Sequence, residues 1–329
     1  MKNKNILVTG GLGILGAKLV KILNKKNSFN IFILDRSKNN KKIKILELNK
    51  LKSVKIIKGN FNDYKTVFKI IKNKDINTIF HLGAITQVID AYKSPMETFN
   101  SNIVGTINIL ESIRNLKKKI NLIFSSSDKA YGSLSGNAYL ENHQLKGNYP
   151  YDVSKSASDL IVQSYVKTYN LKAGIIRSGN IYGPGDLNMD RLVPHVIISS
   201  ILKKKSVLRS NGKLIRDYIY VEDVANAYIM LMKIMNETKQ RLRIYNVGSK
   251  ENLTVKNFVK LITIMINKKE IKPIIKNNSK IEIYKQKLNY KKIQRDLGWL
   301  PKSNFKESLH ETIEWYRKNI SFFNNKINK

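Results

Sequence analysis

The chain has 329 residues, enough to bury a large core, with 60 Lys and Arg against 24 Asp and Glu, a net charge of +36 and no cysteine. Without cysteine there is no disulfide and no Cys-based zinc site, which fits a reducing cytoplasm. The lysines are scattered through every segment, not gathered into a stripe or tail. The charge therefore reads as a compositional bias on solvated faces, and neither a nucleic-acid nor a membrane partner is expected.

The first residues run directly into an apolar segment with no signal-peptide pattern, and no stretch approaches roughly eighteen uninterrupted apolar residues, so a cytoplasmic protein is expected. Asn5-Ile6-Leu7-Val8-Thr9 reads as a buried strand. Gly10-Gly11-Leu12-Gly13-Ile14-Leu15-Gly16 follows at once, before a helical apolar pattern through Leu19, Ile22 and Leu23. In a strand–turn–helix of this kind the first glycine permits the tight turn, the second admits a diphosphate to the backbone, and the third lets the helix pack closely on the sheet. The helix N-terminus offers free N–H groups to the phosphates. A second strand, Ile31–Leu34, ends in Asp35, about 20 residues past the glycines, where a carboxylate would bond ribose hydroxyls. Asp35 favours NAD over NADP, while Arg36 and Ser37 keep NADP open.

Strands and helices then alternate, which predicts a parallel sheet covered on both faces. The strands are Val54–Ile57, Thr78–Leu82, Ile120–Phe124 and Ala173–Ile176; helices are expected at Lys65–Lys72, Met96–Leu116 and Tyr149–Tyr169. Gly83 and Ala84 are small enough for backbone to lie against a cofactor. From Gly179 the rhythm breaks. The remaining pieces are a helix near Val193–Leu202, an extended Arg216–Tyr220, a helix Val221–Met235, a strand Tyr245–Val247, and helices near Thr254–Ile266 and Phe305–Lys318 with a Lys/Asn-rich linker between. The reading is a Rossmann-type α/β fold, doubly wound about a parallel sheet. It comprises a dinucleotide-binding domain over 1–178 with a returning segment at about 217–248, and a smaller C-terminal α/β lobe from 179–216 and 249–329 closing over a cleft.

The chemistry lies beyond strands five and six. Strand five ends in Ser125-Ser126-Ser127-Asp128-Lys129, and Tyr151-Asp152-Val153-Ser154-Lys155 follows on a helix, where Tyr and Lys four apart share one face. The lysine charge is expected to lower the phenol pKa, so that the tyrosinate takes a hydroxyl proton while a hydride leaves the same carbon. For phosphate oxygens Arg216 is the first choice, because a guanidinium binds them in a fork, with Arg191 and Asn180 behind it, and a salt bridge from Arg216 to Asp217 or Glu222 is the alternative. The four histidines have no metal-ligand spacing, and no metal is assigned.

Thr9–Gly16, Asp35, Asn62-Asp63, His81-Leu82-Gly83-Ala84, Asn102–Thr106, the serine-rich turn and Tyr151/Lys155 resemble the extended short-chain dehydrogenase/reductase family. Gly179-Asn180, Arg216-Asp217-Tyr218 and Asp296–Pro301 carry the resemblance into its nucleotide-sugar epimerase/dehydratase branch. Ser127-Asp128-Lys129 and Gly179–Asp186 are most similar to CDP-glucose 4,6-dehydratases, whereas Arg216–Val221 resembles the broader branch. The resemblance implies NAD contacts at Gly10, Gly13, Ile14, Leu15, Gly16, Asp35, Arg36, Asn62, Asp63, Leu82, Gly83, Ala84, Asn102, Tyr151 and Lys155. It implies substrate contacts at Thr86, Ser127, Asn180, Arg191, Leu192 and Arg216, and catalysis by Ser127, Asp128, Lys129, Tyr151 and Lys155. Asp128 would be the acid at the C6 hydroxyl and Lys129 the candidate base at C5. Met96–Leu116 and Tyr149–Tyr169 would pair with a second copy as a homodimer. Two rivals stand beside the dehydratase: a 4-epimerase, which needs no acid at Asp128, and a non-enzymatic NAD-binding regulator, which needs no proton acceptor at Tyr151.

Overall fold

A computed structural model describes residues 4–134, 136–278 and 282–327. Six strands alternate with helices along the first part of the chain: β1 (Lys4–Thr9), β2 (Phe29–Asp35), β3 (Val54–Lys58), β4 (Thr78–His81), β5 (Asn121–Ser127) and β6 (Lys172–Ser178). They are followed by β7 (Asn180–Tyr182), β8 (Val207–Leu208), β9 (Ile215–Tyr220), β10 (Leu242–Val247), β11 (Asn252–Thr254) and β12 (Ile274–Ile275). The large sheet has the order β10-β6-β5-β4-β1-β2-β3, every pair in it parallel. Parallel strands need crossovers, and the crossover helices bury both sheet faces, which is why these strands read as apolar runs. The strand order reverses between β1 and β4, opening a crevice at the carboxyl ends of the strands.

Each face has its own core. Ile14–Asn24 and Val221–Glu237 pack on one, where Ile6, Val8, Leu19, Val224 and Leu231 are buried. The other is covered by Tyr64–Asn73, Gly105–Leu116 and Pro150–Tyr169 over Leu7, Ile79, Leu122 and Ile175. The first core runs on into the C-terminal lobe through Tyr182, Tyr218, Phe258 and Trp299, so the lobes share apolar packing.

Local details refine the sequence reading. β5 extends through the serines to Ser127, leaving Asp128-Lys129 in a short 3₁₀ turn. Met96–Leu116 is two helical pieces, Pro95–Phe99 and Gly105–Leu116, joined by a π-helical turn over Asn100–Val104. The return to the large sheet begins at Val221 and not at 217, because β9 hydrogen-bonds to β7 and β11 in a small three-stranded sheet. The Lys/Asn-rich stretch expected to be a linker holds a further helix, Lys291–Leu297, and an extended strap ahead of it. Among the described residues, no helix is long and apolar enough to cross a membrane.

Candidate active site

Two groups of residues meet at the carboxyl edge of the sheet. The first is the glycine turn. Gly10 lies at φ +70°, and a Cβ on Gly16 would stand 2.3 Å from the Gly10 carbonyl oxygen, so backbone contact alone dictates glycine at both. Gly13 differs: a Cβ there would meet only Gly10 O, at 3.3 Å, and the protein leaves that side open as a diphosphate requires. The helix that follows has no side-chain cap and no acid in its first turn, so its N–H groups at Ile14, Leu15 and Gly16 stay available to an anion. Asp35 Oδ1 accepts from Ser37 N (3.0 Å), Ser37 Oγ (3.1 Å) and Lys38 N (3.0 Å), which fixes the turn after β2. Exposed Arg36 stands beside it. These features fit a dinucleotide.

Other residues expected at the cofactor divide into those with open atoms and those already engaged. Asn62 Oδ1 is buried without a partner, whereas Asp63 caps the helix Tyr64–Asn73, accepting from Lys65 N (3.0 Å) and Thr66 Oγ1 (2.5 Å). Gly83 N donates to Thr9 Oγ1 (3.0 Å), drawing Leu82-Gly83-Ala84 across the end of β1. Asn102 accepts from Ile85 N (2.8 Å) and donates to Ile85 O (3.0 Å) and Ser154 Oγ (2.9 Å). Its amide thus ties the loop after β4 to the Tyr151/Lys155 helix, with its polar atoms turned on the protein.

The second group begins where β5 ends. Ser127 donates to Asp128 Oδ1 (3.0 Å) and accepts from Lys129 N (3.2 Å), which sets the turn. Asp128 is 2% exposed; burial raises its carboxyl pKa, with Lys129 the main opposing influence. A buried carboxyl held toward its neutral form is suited to proton donation. Tyr151 and Lys155 share one buried helix face as expected. The expected low-pKa phenol is not what the structure gives. Burial pushes Tyr151 up to about 12, the hydroxyl of Ser127 being the first influence to oppose it. Lys155 instead donates to the Ser125 carbonyl (2.9 Å) with its Nζ 5.6 Å from the Phe124 ring, and burial lowers its amine to about 8. In so dry a site burial of the phenolate is the dominant influence.

The C-terminal lobe closes this end. Arg191 reaches from it to Thr86 Oγ1 (3.1 Å) and Asp186 Oδ2 (3.3 Å), while Leu192 starts the next helix. Asn180 Nδ2 is buried and unpartnered. Arg216 pairs with neither Asp217 nor Glu222: its guanidinium donates to Ile283 O (2.7 Å) and to Glu282 Oε2 (2.5 Å), and Glu222 pairs with Lys18. Three groups here were not singled out from the sequence. Asp152, beside Tyr151, is pushed by burial up to about 6. Glu282 holds Arg216. Fully buried Gln286 lies 158 residues from Asp128 and donates from Nε2 to Asp128 Oδ2 (2.8 Å). Adjacency to Tyr151 could have flagged Asp152; nothing in the local pattern marks Gln286.

Comparison with known proteins places the whole chain in a family. The family model for GDP-mannose 4,6 dehydratase matches residues 7–312. The dTDP-glucose 4,6-dehydratase of Haemophilus influenzae is 30% identical, over 96% of this chain and 99% of its own. The chain spans about half (48%) of the length of a trifunctional UDP-glucose 4,6-dehydratase/UDP-4-keto-6-deoxy-D-glucose 3,5-epimerase/UDP-4-keto-L-rhamnose-reductase of Arabidopsis thaliana, to which it is 28% identical. Among solved structures, UDP-glucose 4-epimerase of Thermotoga maritima with UDP-glucose superposes with TM-score 0.86 at 26% identity, covering 96% of this chain and 99% of that one. The dTDP-glucose 4,6-dehydratase of Bacillus anthracis in complex with NAD gives 0.84 at 27% identity, over 97% and 98%. A match that runs unbroken through both lobes makes this chain a member of the GDP-mannose 4,6-dehydratase family.

Proposed function

We propose that the protein is an NAD-dependent nucleotide-sugar 4,6-dehydratase, with CDP-glucose as its substrate. The observation that carries the reading is Asp128: a buried carboxyl, inclined to its neutral form, in the same pocket as Tyr151. Oxidation at C4 and its reversal need only the tyrosine; a protonated acid is what a departing C6 hydroxyl requires. The Ser127-Asp128-Lys129 turn supports CDP-glucose through its resemblance to the enzymes acting on that sugar nucleotide.

The glycine turn, Asp35 and Asn62 are the residues that would hold NAD. Bound NAD supplies the hydride acceptor for C4 and the hydride later returned to C6, and its charged ring favours a tyrosinate. Tyr151, bonded through Ser127, takes the C4 hydroxyl proton. The 4-keto group makes the C5 proton acidic. Asp128 then protonates the C6 hydroxyl, which leaves as water, and Lys129 receives the C5 proton and later returns it there. Arg191 and Asn180 bind the nucleotide diphosphate, and Arg216 joins them by exchanging Glu282 for phosphate oxygens. The exposed apolar side chains Met96, Val104 and Leu160 support a homodimer through the helices that carry them, and Met96→Lys should shift sedimentation to the monomer.

The test is incubation with CDP-, dTDP-, GDP- and UDP-hexoses without added reductant, followed by mass spectrometry. Loss of one water from CDP-glucose is the expected result. The 4-epimerase reading, favoured by the Thermotoga structure's similarity, predicts unchanged mass with inverted C4. No turnover of any hexose would leave the regulator.

A further inference from the structure

Gln286 lies on an extended strap, Glu282–Asn289, that the C-terminal lobe lays across the mouth of β5. The strap is pinned from three directions. Arg216 donates to Ile283 O (2.7 Å) and Glu282 Oε2 (2.5 Å); Asp217 Oδ2 accepts from Leu288 N (3.0 Å); and Tyr139 N donates to Lys287 O (2.8 Å) while its carbonyl accepts from Asn289 N (3.0 Å). Gln286 N itself donates to Ile215 O (3.1 Å). This leaves its side chain one direction. Nε2 donates to Asp128 Oδ2 (2.8 Å) and Oε1 accepts from Lys129 Nζ (3.4 Å), so a single amide spans both members of the turn.

We propose that Gln286 is a positioning residue for the dehydration step, its amide holding Asp128 and Lys129 apart and stabilising the carboxylate–ammonium pair that elimination creates. The inference rests on the dehydratase reading. In that step the C5–H bond breaks with its proton passing to the Lys129 amine, and its electron pair becomes the C5=C6 bond. The C6–O bond breaks as Asp128 gives its proton to the departing hydroxyl. Asp128 ends as a carboxylate, which the amide N–H₂ serves, and Lys129 as an ammonium, which the amide oxygen serves. The amide orientation in the structure already suits that product pair, with N–H₂ toward Asp128 and oxygen toward Lys129. One side chain serves both members of the pair, which a carboxylate, a lysine or an apolar residue at this position would not do.

The groups facing the pocket are Asp128 and Lys129 on the turn, Asp152 and Tyr151 on the long helix, Tyr139 on the loop after the turn, Arg216 and Asp217 on β9, and Glu282 on the strap itself. Any pH response must be read against all of them. Q286M keeps the length and removes both hydrogen bonds. Q286E keeps the shape; while its carboxyl is protonated it can donate to Asp128 and accept from Lys129, and once ionised it repels Asp128.

The experiment is a single turnover of the NAD-loaded protein with CDP-glucose, following reduced nicotinamide by absorbance and water loss by mass spectrometry. In Q286M the oxidation should stay within about twofold while water loss slows about 10- to 100-fold, so that reduced cofactor accumulates. In Q286E water loss should approach the wild-type rate at low pH and fall as the new carboxyl ionises. That recovery is absent if the residue only supports the fold, and Q286E decides the matter should Q286M not fold. The inference is overturned if both variants eliminate at the wild-type rate, or if oxidation and elimination fall together with no recovery in Q286E. A wild-type protein that releases no water overturns the dehydratase reading, and the inference with it.

Discussion

The glycine turn and the Asp128 pocket are the two ends of the candidate site, built on opposite plans. The turn is local: Gly10, Gly13 and Gly16 lie within one strand–helix junction, and most of what they do is done by backbone. The pocket is assembled from far apart, with Asp128 after β5, Tyr151 and Lys155 on the next helix, and Gln286 from a strap of the other lobe. A protein with 60 basic and 24 acidic residues gathers Asp128, Asp152 and Asp217 there, each nearly or fully buried. A dinucleotide cradle asks for shape and free N–H groups, which a short segment provides. Acid–base chemistry asks for shifted pKa values, and these need burial from several directions.

Substitutions should therefore separate the two ends. Asp128→Asn should slow water loss about 10²- to 10⁴-fold while C4 oxidation changes only a few-fold, seen as accumulated reduced nicotinamide in a single turnover. Equal loss of both steps would merge the two ends into one machine. Tyr151→Phe should remove oxidation and elimination alike, about 10²-fold or more, because elimination depends on the 4-keto group.

At the other end, Gly16→Ala places a Cβ 2.3 Å from the Gly10 carbonyl, against backbone that cannot step aside. We expect about 1–3 kcal/mol of lost stability in denaturant melts and a marked loss of NAD binding by titration. Unchanged NAD affinity would show that the turn does not carry the diphosphate. Asp35→Ala should act more mildly, narrowing the preference for NAD over NADP by about tenfold, roughly 1.4 kcal/mol, in paired cofactor titrations.

Another effect concerns pH. Burial pushes Asp217 up to about 7 from an ordinary value of 3.8. A folded value above the unfolded one means that the native state binds the proton more tightly. The contribution is full below the unfolded value and is lost as pH rises through the folded one. Asp217→Asn removes that titration, so the wild type's stability relative to the variant should decline between about pH 4 and pH 7, by at most about 1.4 kcal/mol per unit. A difference independent of pH in urea melts would show that Asp217 is charged throughout.

Local patterning was enough for the parallel α/β fold, the glycine turn and the shared helix face of Tyr151 and Lys155, because apolar runs, period-3.6 patterns, glycine sterics and i, i+4 spacing are local rules. It also marked Asp128, through a triplet that stands at the end of a strand. How those side chains are poised depends on which segments pack around them. Tyr151 reads as an activated phenol when Lys155 alone is considered, yet burial raises it. Arg216 reads as a free phosphate donor, yet Glu282 and the strap occupy it. Gln286 stands in a stretch that reads as a linker and becomes part of the pocket only when Arg216, Asp217 and Tyr139 pin the strap across β5. Burial and long-range hydrogen bonds depend on which segments meet, and no local pattern encodes that meeting.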